Sequence, residues 1–147
     1  MNIHTVTDEH LYKRSIAPQA VGSSATVNGA GVDCQGTEGL LAIVNIGAIV
    51  DSSNITLTVK LQQSSDDGDS DAYADITDAT TDAIANDGQN EVYLIELNMS
   101  ERERYIRAVV TGGSSGGGLV GCVLELFRRR HGVPTQTNTV VQIGFER

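Results

Sequence analysis

The sequence predicts an all-β protein, an antiparallel β-sandwich of about eight strands for which a jelly roll is one option. Short apolar runs recur along the chain, and clusters of turn-forming residues separate them. No long stretch has the period of an amphipathic helix. The 147 residues suit one compact domain with a tail and are too few for two ordinary domains.

The clearest predicted strand covers residues 55–62, where apolar and polar side chains alternate. Residues 40–46 are apolar on both faces, and so are residues 119–127 apart from Glu125, which predicts strands covered on both sides. The remaining predicted strands are 92–97, 104–110 and 139–145, with weaker candidates at 25–29 and 73–77.

The first part of the chain is predicted to be an extended N-terminal arm, residues 1–35, ahead of a sandwich domain at residues 36–147. Residues 1–21 show no sustained period. They nevertheless carry Leu11, Tyr12 and Ile16, apolar side chains that we expect to contact a partner's groove. The alternative is a frayed terminus or an extra edge strand.

The charge is unevenly distributed. The net charge of −9 and the pI near 4.6 have the wrong sign for a protein that grips phosphate backbones over its surface, so no nucleic-acid partner is expected. Residues 51–91 hold ten acids and one base and carry the whole excess, whereas the other residues are neutral in sum. We expect the acidic segment to face solvent and the neutral remainder to approach another surface.

Neither a membrane span nor a secretory signal is predicted. No apolar run reaches the roughly 18 to 20 residues of a spanning helix, and the N-terminus lacks a basic stretch followed by an apolar one. We therefore expect a soluble chain with no membrane partner that is not exported. In a reducing compartment Cys34 and Cys122 are expected to be buried and unbonded, with a disulfide between them as the alternative.

No enzyme activity and no cofactor are expected. The three histidines, His4, His10 and His131, are not at metal-ligand spacing with one another or with a cysteine. Residues 112–116 match the Gly-x-Ser-x-Gly pattern of a nucleophile elbow, but that motif requires a strand-to-helix turn. Here a glycine-rich hairpin loop between two strands is expected, so we predict no catalytic residues.

The acidic loop at residues 66–78 is the best candidate for a metal site. Its aspartates approach the ligand spacing of a calcium loop. The position that needs a glycine holds Ala72, and the last ligand position holds Asp78 in place of a glutamate. We therefore predict a solvated loop without a metal.

The one basic cluster consists of Arg128, Arg129 and Arg130, followed by His131. Three cations at the end of a predicted strand create a local positive field, which favours a docking patch for acidic groups of a partner or of a neighbouring copy. The alternative is a solvated strand exit.

Four sequence segments, together with their order, resemble those of a known family. In order and spacing they are similar to segments of the head decoration (cement) proteins of tailed bacteriophages. The segments are residues 55–68, residues 104–111, the glycine- and serine-rich loop and residues 128–134. The similarity covers residues 36–134. The stretch at 75–89 is longer than the family pattern, which leaves the oligomer interface open.

The resemblance implies a non-enzymatic β-sandwich on the outer surface of the virion. Such a protein is made in the host cytoplasm, binds the major capsid protein of the expanded head across subunit boundaries, and forms a homo-oligomer, a trimer or dimer. The expected capsid or inter-subunit contacts are Leu11, Tyr12, Ile16 and the arginines at 128–130. The alternative is a glycan-binding or tail-associated adhesion module of a phage particle, which is disfavoured because the chain has no Trp and few other aromatic residues.

Overall fold

The computed structural model describes residues 10–50, 56–114 and 117–127. This part of the chain is built almost entirely of β-strands, with two short 3₁₀ turns at Asn86–Gly88 and Met99–Glu101. The strands are β1 Leu11–Val21, β2 Thr26–Asn28, β3 Val32–Asp33, β4 Gly39–Val50, β5 Leu57–Ser64, β6 Ala74–Thr80, β7 Val92–Asn98, β8 Tyr105–Gly112 and β9 Gly117–Phe127.

The strands form two antiparallel sheets that face each other. One has the order β1-β9-β4-β7, and the other has the order β2-β8-β5-β6 with β3 also paired to β8. The strand pairs are nested in the sequence, so that each pair encloses the next, as in a long hairpin rolled across two sheets. From the outside inward they are β1 with β9, β2 with β8, β4 with β7 and β5 with β6. This is the jelly-roll order, so the predicted β-sandwich is confirmed.

The core lies between the sheets and follows the period-two pattern. In β5 the side chains of Leu57, Val59 and Leu61 are fully buried, whereas Thr58 and Lys60 point to the outer face. In β9 the buried positions also alternate, and they meet those of β5 and β8 across the sandwich. Shortening one of these side chains to alanine should cost about 2–5 kcal/mol of stability.

The predicted covering of β4 and β9 on both sides is wrong for their outer positions. Leu119 is 47% exposed and Val123 is 37% exposed. The inner side chains of the same strands are buried as expected. The difference arises because, in the part of the chain that the structure describes, no third layer lies over the four-stranded sheet.

Residues 11–21, which the sequence analysis placed in the arm, form the edge strand β1. The strand pairs with β9 from Leu11 opposite Leu126 to Val21 opposite Gly118. Its pattern has no simple period because the register shifts twice, between Arg14 and Ile16 and again before Gln19. For this stretch the structure has the extra edge strand that was the alternative to an arm. Residues 1–9 lie outside the described residues.

The glycine-rich connection between β8 and β9 is not a hairpin, because β8 and β9 belong to different sheets. Gly113 donates its N–H to the Thr56 carbonyl oxygen at 2.6 Å. A side chain at Gly117 would collide with the Val21 carbonyl oxygen. Glycine is needed here because two backbones pass close together where the chain crosses between the sheets.

Cys34 and Cys122 are both buried, and neither forms a disulfide. Burial raises the pKa of the Cys122 thiol to about 12. A thiol of this kind stays protonated and packs as a small apolar side chain. Among the described residues, no helix is long and apolar enough to cross a membrane.

Candidate docking surfaces

The acidic loop after β5 is organised around Ser64, whose side chain is fully buried. The Ser64 hydroxyl accepts a hydrogen bond from the Gly68 N–H at 2.8 Å and donates to the Asp71 carbonyl oxygen at 2.8 Å. The Asp66 carboxylate accepts from the N–H groups of Ser70 and Asp71. The loop therefore closes on itself through hydrogen bonds to its own backbone.

Two carboxylates of this loop are stabilised in their charged form. The Asp66 carboxylate is held by the two backbone donors just described, and the Asp71 carboxylate accepts from the Ser65 N–H at 2.8 Å and from the Ser65 hydroxyl. These hydrogen bonds hold the pKa of both carboxyl groups below the usual range of an aspartate.

Two further carboxylates, Asp75 and Asp67, bind side chains of β5 and the Tyr73 hydroxyl. Asp75 accepts from Lys60 Nζ and from Gln62 Nε2, both at 2.7 Å. Asp67 accepts from the Tyr73 hydroxyl, and the Tyr73 ring lies 4.0 Å from the Arg107 guanidinium. Among the described residues, no group of three or more potential ligands could hold a metal ion. The calcium-like spacing thus serves a hydrogen-bonded loop in this structure.

A second polar cluster joins β1 to β9 on the outer face of the four-stranded sheet. The Tyr12 hydroxyl donates to Glu125 Oε1 at 2.7 Å, and His10 Nδ1 lies 2.5 Å from the same oxygen. Burial, followed by the neighbouring carboxylate, raises the pKa of Tyr12 to about 12. Sequence reasoning singled out Glu125 only as a break in an apolar run, since its partners lie more than a hundred residues away.

The structure places the predicted contact residues in different environments. Leu11 is 5% exposed and Ile16 is 1% exposed, and both belong to the core of this chain. Tyr12 is half-buried and bonded to Glu125. The arginines at 128–130 lie outside the described residues. In this conformation Leu11 and Ile16 therefore stabilise the sandwich and are not presented to a partner.

Beside the Tyr12–Glu125 cluster, the outer face of the four-stranded sheet carries apolar side chains on three adjacent strands. We call this surface the apolar sheet face, and it consists of Ile43, Val92, Leu94, Leu119 and Val123. Ile43 in β4 stands opposite Leu94 on one side and opposite Val123 on the other. Leu94 is 62% exposed and Val92 is 56% exposed. Sequence reasoning missed this surface because it took apolar runs in β4 and β9 as a sign of coverage.

The outer face of the five-stranded sheet is different in character. Its exposed and half-buried positions include Thr26, Thr58, Lys60, Gln62 and Arg107. Arg107 donates two hydrogen bonds to the Gln62 side-chain oxygen, and Lys60 pairs with Asp75. A polar outer face is the ordinary condition of an antiparallel sandwich, so the apolar sheet face is the exception in this protein.

The described part of the chain also has an open cleft of about 880 Å³ at one end of the sandwich. Its lining includes Thr37, Glu38, Glu96 and Phe127. The Thr37 hydroxyl is buried and has no hydrogen-bond partner among the residues that the structure describes. The cleft presents acidic and hydrogen-bonding groups beside the end of β9.

Comparisons with known proteins show the fold. No protein-family model matches the chain, and no curated protein matches it. Among solved structures it is similar to the PBSX exported protein XepA, with a TM-score of 0.54 and 13% identity over 92% of this chain and 43% of that chain. It is also similar to a chain in the structure of infectious bursal disease virus Gx strain, with a TM-score of 0.51 and 8% identity over 85% of this chain and 34% of that chain. The chain spans less than half the length of either structure.

Proposed function

We propose that this protein is a structural, non-enzymatic component of a tailed-phage particle that decorates the outer surface of the expanded head. It binds the major capsid protein across subunit boundaries and stabilises the assembled shell. The observation that supports the proposal is the jelly-roll order of the two sheets, an arrangement common among viral capsid domains. The motifs that resemble head decoration proteins point to the same role.

The distribution of charge fits a protein that has one side in solvent. The self-bonded acidic loop and the Asp75 ion pair lie on the β5–β6 side of the five-stranded sheet. The apolar sheet face belongs to the other sheet. A particle coated with the acidic side outward stays soluble, while the rest of the surface is available for contacts with the shell and with neighbouring copies.

The stabilising mechanism is mass action. A protein that binds only where two capsid subunits meet has affinity for the assembled lattice and none for the separated subunits. Its binding free energy is therefore added to the stability of the shell. No chemical step is needed, so a rigid β-sandwich with suitable surfaces is sufficient.

The test is co-sedimentation of the purified full-length protein with expanded phage heads, unexpanded heads and free capsid subunits. We expect binding to expanded heads alone, together with a higher temperature of head disruption. Equal binding to free subunits would contradict stabilisation by lattice binding. Binding to bacterial polysaccharide without binding to heads would favour the glycan-binding or tail-associated adhesion module.

A further inference from the structure

The apolar sheet face has an ordered arrangement across all four strands of its sheet. Arg14 in β1 stands opposite Val123 in β9, Val123 stands opposite Ile43 in β4, and Ile43 stands opposite Leu94 in β7. Paired residues of neighbouring strands point to the same side of a sheet. The row therefore begins with a cation at one edge, is apolar through the middle, and ends at β7.

The β7 edge of the face carries negative charge. Glu96 stands opposite Leu41, two residues along β7 from Leu94, and is exposed. The β1 edge carries the exposed Arg14. At the row of Val123 and Ile43 the face thus has an apolar centre with opposite charges at its two edges, and Glu125, held by Tyr12 and His10, lies in the neighbouring row at one end of the face.

We infer that the apolar sheet face is the contact surface between two copies of this chain, packed face to face about a two-fold axis parallel to the strands. The inference deepens the proposed function, because it names the surface through which copies on the particle pair. Such an axis reverses the strand order, so β1 of each copy lies above β7 of the other. Val123 of one copy then packs on Ile43 of the other, and Arg14 of one copy lies over Leu94 of the other, with Glu96 two residues further along β7.

A second copy fits this surface because the face is complementary to itself. In an isologous contact each patch must match its own image, which requires apolar groups near the axis and opposite charges at equal distances from it. The row of Val123 and Ile43 meets the first condition, and Arg14 on β1 with Glu96 on β7 meets the second. Two sheets packed in this way are about 10 Å apart, as in the core of a β-sandwich.

The first experiment measures association of the full-length chain by sedimentation velocity over a wide range of concentrations. We expect a concentration-dependent dimer. Leu94→Glu should raise its dissociation constant by about tenfold or more, because a charge would be buried without a partner. The matched control is Thr26→Glu, which places the same charge on an exposed strand of the other sheet. Circular dichroism and thermal melts of each variant verify folding.

The second experiment tests the charge pairing. Arg14→Glu and Glu96→Arg should each weaken dimerisation, and the double variant should recover most of the loss, because it restores opposite charges in exchanged positions. Recovery in the double variant distinguishes a contact from general destabilisation. Losses that simply add would overturn the predicted pairing.

A chain that is monomeric at every concentration would overturn the inference, and labelling of Leu94→Cys then identifies the true cover. Slow reaction of this cysteine in a monomer would mean that another segment of the same chain covers the face. Rapid reaction in a monomer that binds phage heads would assign the face to the capsid. A dimer that fails to bind heads would instead refute the proposed function and leave this inference intact.

Discussion

The hydroxyl of Ser15 joins the two sheets by accepting a hydrogen bond from the backbone N–H of Ala108 at 3.0 Å. Ser15 is only 5% exposed and lies where the register of β1 shifts between Arg14 and Ile16. Its hydroxyl also donates to the Ala30 carbonyl oxygen at 3.0 Å. The bulge of the edge strand at Ser15 therefore provides hydrogen bonds for two backbone groups of the opposite side of the sandwich, the Ala108 N–H and the Ala30 carbonyl.

Replacing Ser15 with alanine should destabilise the fold by about 1–3 kcal/mol, because the buried Ala108 N–H loses its acceptor. Urea unfolding followed by circular dichroism measures the change. The matched control is Ser23→Ala, since the Ser23 hydroxyl donates to the Ser114 carbonyl oxygen in an exposed position. Equal losses in the two variants would argue against a special role for the bulge.

Ile16→Ala should cost about 2–5 kcal/mol, since the side chain is 1% exposed and its removal leaves a cavity in the core. Gln19→Ala, at an exposed position of the same strand, should change stability by less than about 0.5 kcal/mol.

Deleting residues 1–20 should unfold or aggregate the protein, because the deletion removes most of β1 and exposes β9. A truncated chain with an unchanged melting temperature would show that β1 is dispensable.

The stability that Asp66 contributes should depend on pH. Its hydrogen bonds from the backbone lower the folded-state pKa below the ordinary value of 3.8, so the contribution is present above that value and is lost as the pH falls through the folded pKa. Asp66→Ala should therefore melt below wild type at neutral pH, and the gap should close in strong acid. Asp69→Ala, at an exposed position of the same loop, is the control. A gap that stays constant with pH would mean that the charge is not involved.

Millimolar Ca²⁺ should change the melting temperature little. Asp66 and Asp71 already accept hydrogen bonds from the backbone, and Asp75 is paired with Lys60. A ligand stabilises a fold only to the extent that it binds the folded state. Differential scanning fluorimetry with Ca²⁺ and then with EDTA checks this, and a large rise that EDTA reverses would reveal a metal site in the loop.

The arginines at 128–130 follow Phe127 at the end of β9, and we retain the hypothesis that they dock the body onto the shell or onto a neighbouring copy. Changing all three to alanine should lower head occupancy, most strongly at low salt, since exposed ion pairs are screened and worth under about 1 kcal/mol each. A single change should have little effect for the same reason. The triple Arg→Lys variant, which keeps the charge, is the control. Wild-type occupancy of the alanine variant at all salt concentrations would refute the hypothesis.

Several features of the fold could be predicted from the chain alone because they depend on neighbours in sequence. The alternation of apolar and polar residues in β5 specifies a half-buried strand, and Leu57, Val59 and Leu61 are buried as this pattern requires. The turn residues after Ser64 likewise mark the end of the strand, and Gly68 adopts a φ of +83° there.

Other features depend on contacts that the sequence pattern does not encode. The bulges of β1 hide its period, so Leu11 and Ile16 read as anchors for a partner although they pack in the core of this chain. The apolar residues at 119 and 123 read as buried, yet the structure leaves them on an outer face. The buried side chains of β1 and the exposed side chains at 119 and 123 are all apolar. Residue type therefore does not distinguish them, and only the position of each side chain in the sheet decides what it contacts.

The sequence by itself determined that this protein is a β-sandwich, because residue type and a two-residue period specify strands such as β5 and the face that such a strand buries. Only the tertiary structure decided the pairing of β1 with β9, the crossing from β8 to the other sheet, and the hydrogen bonds of Tyr12 to Glu125 and of Ser15 to Ala108. The physical reason is that these contacts join residues distant in sequence, whose meeting depends on how two complete sheets pack and not on any local preference.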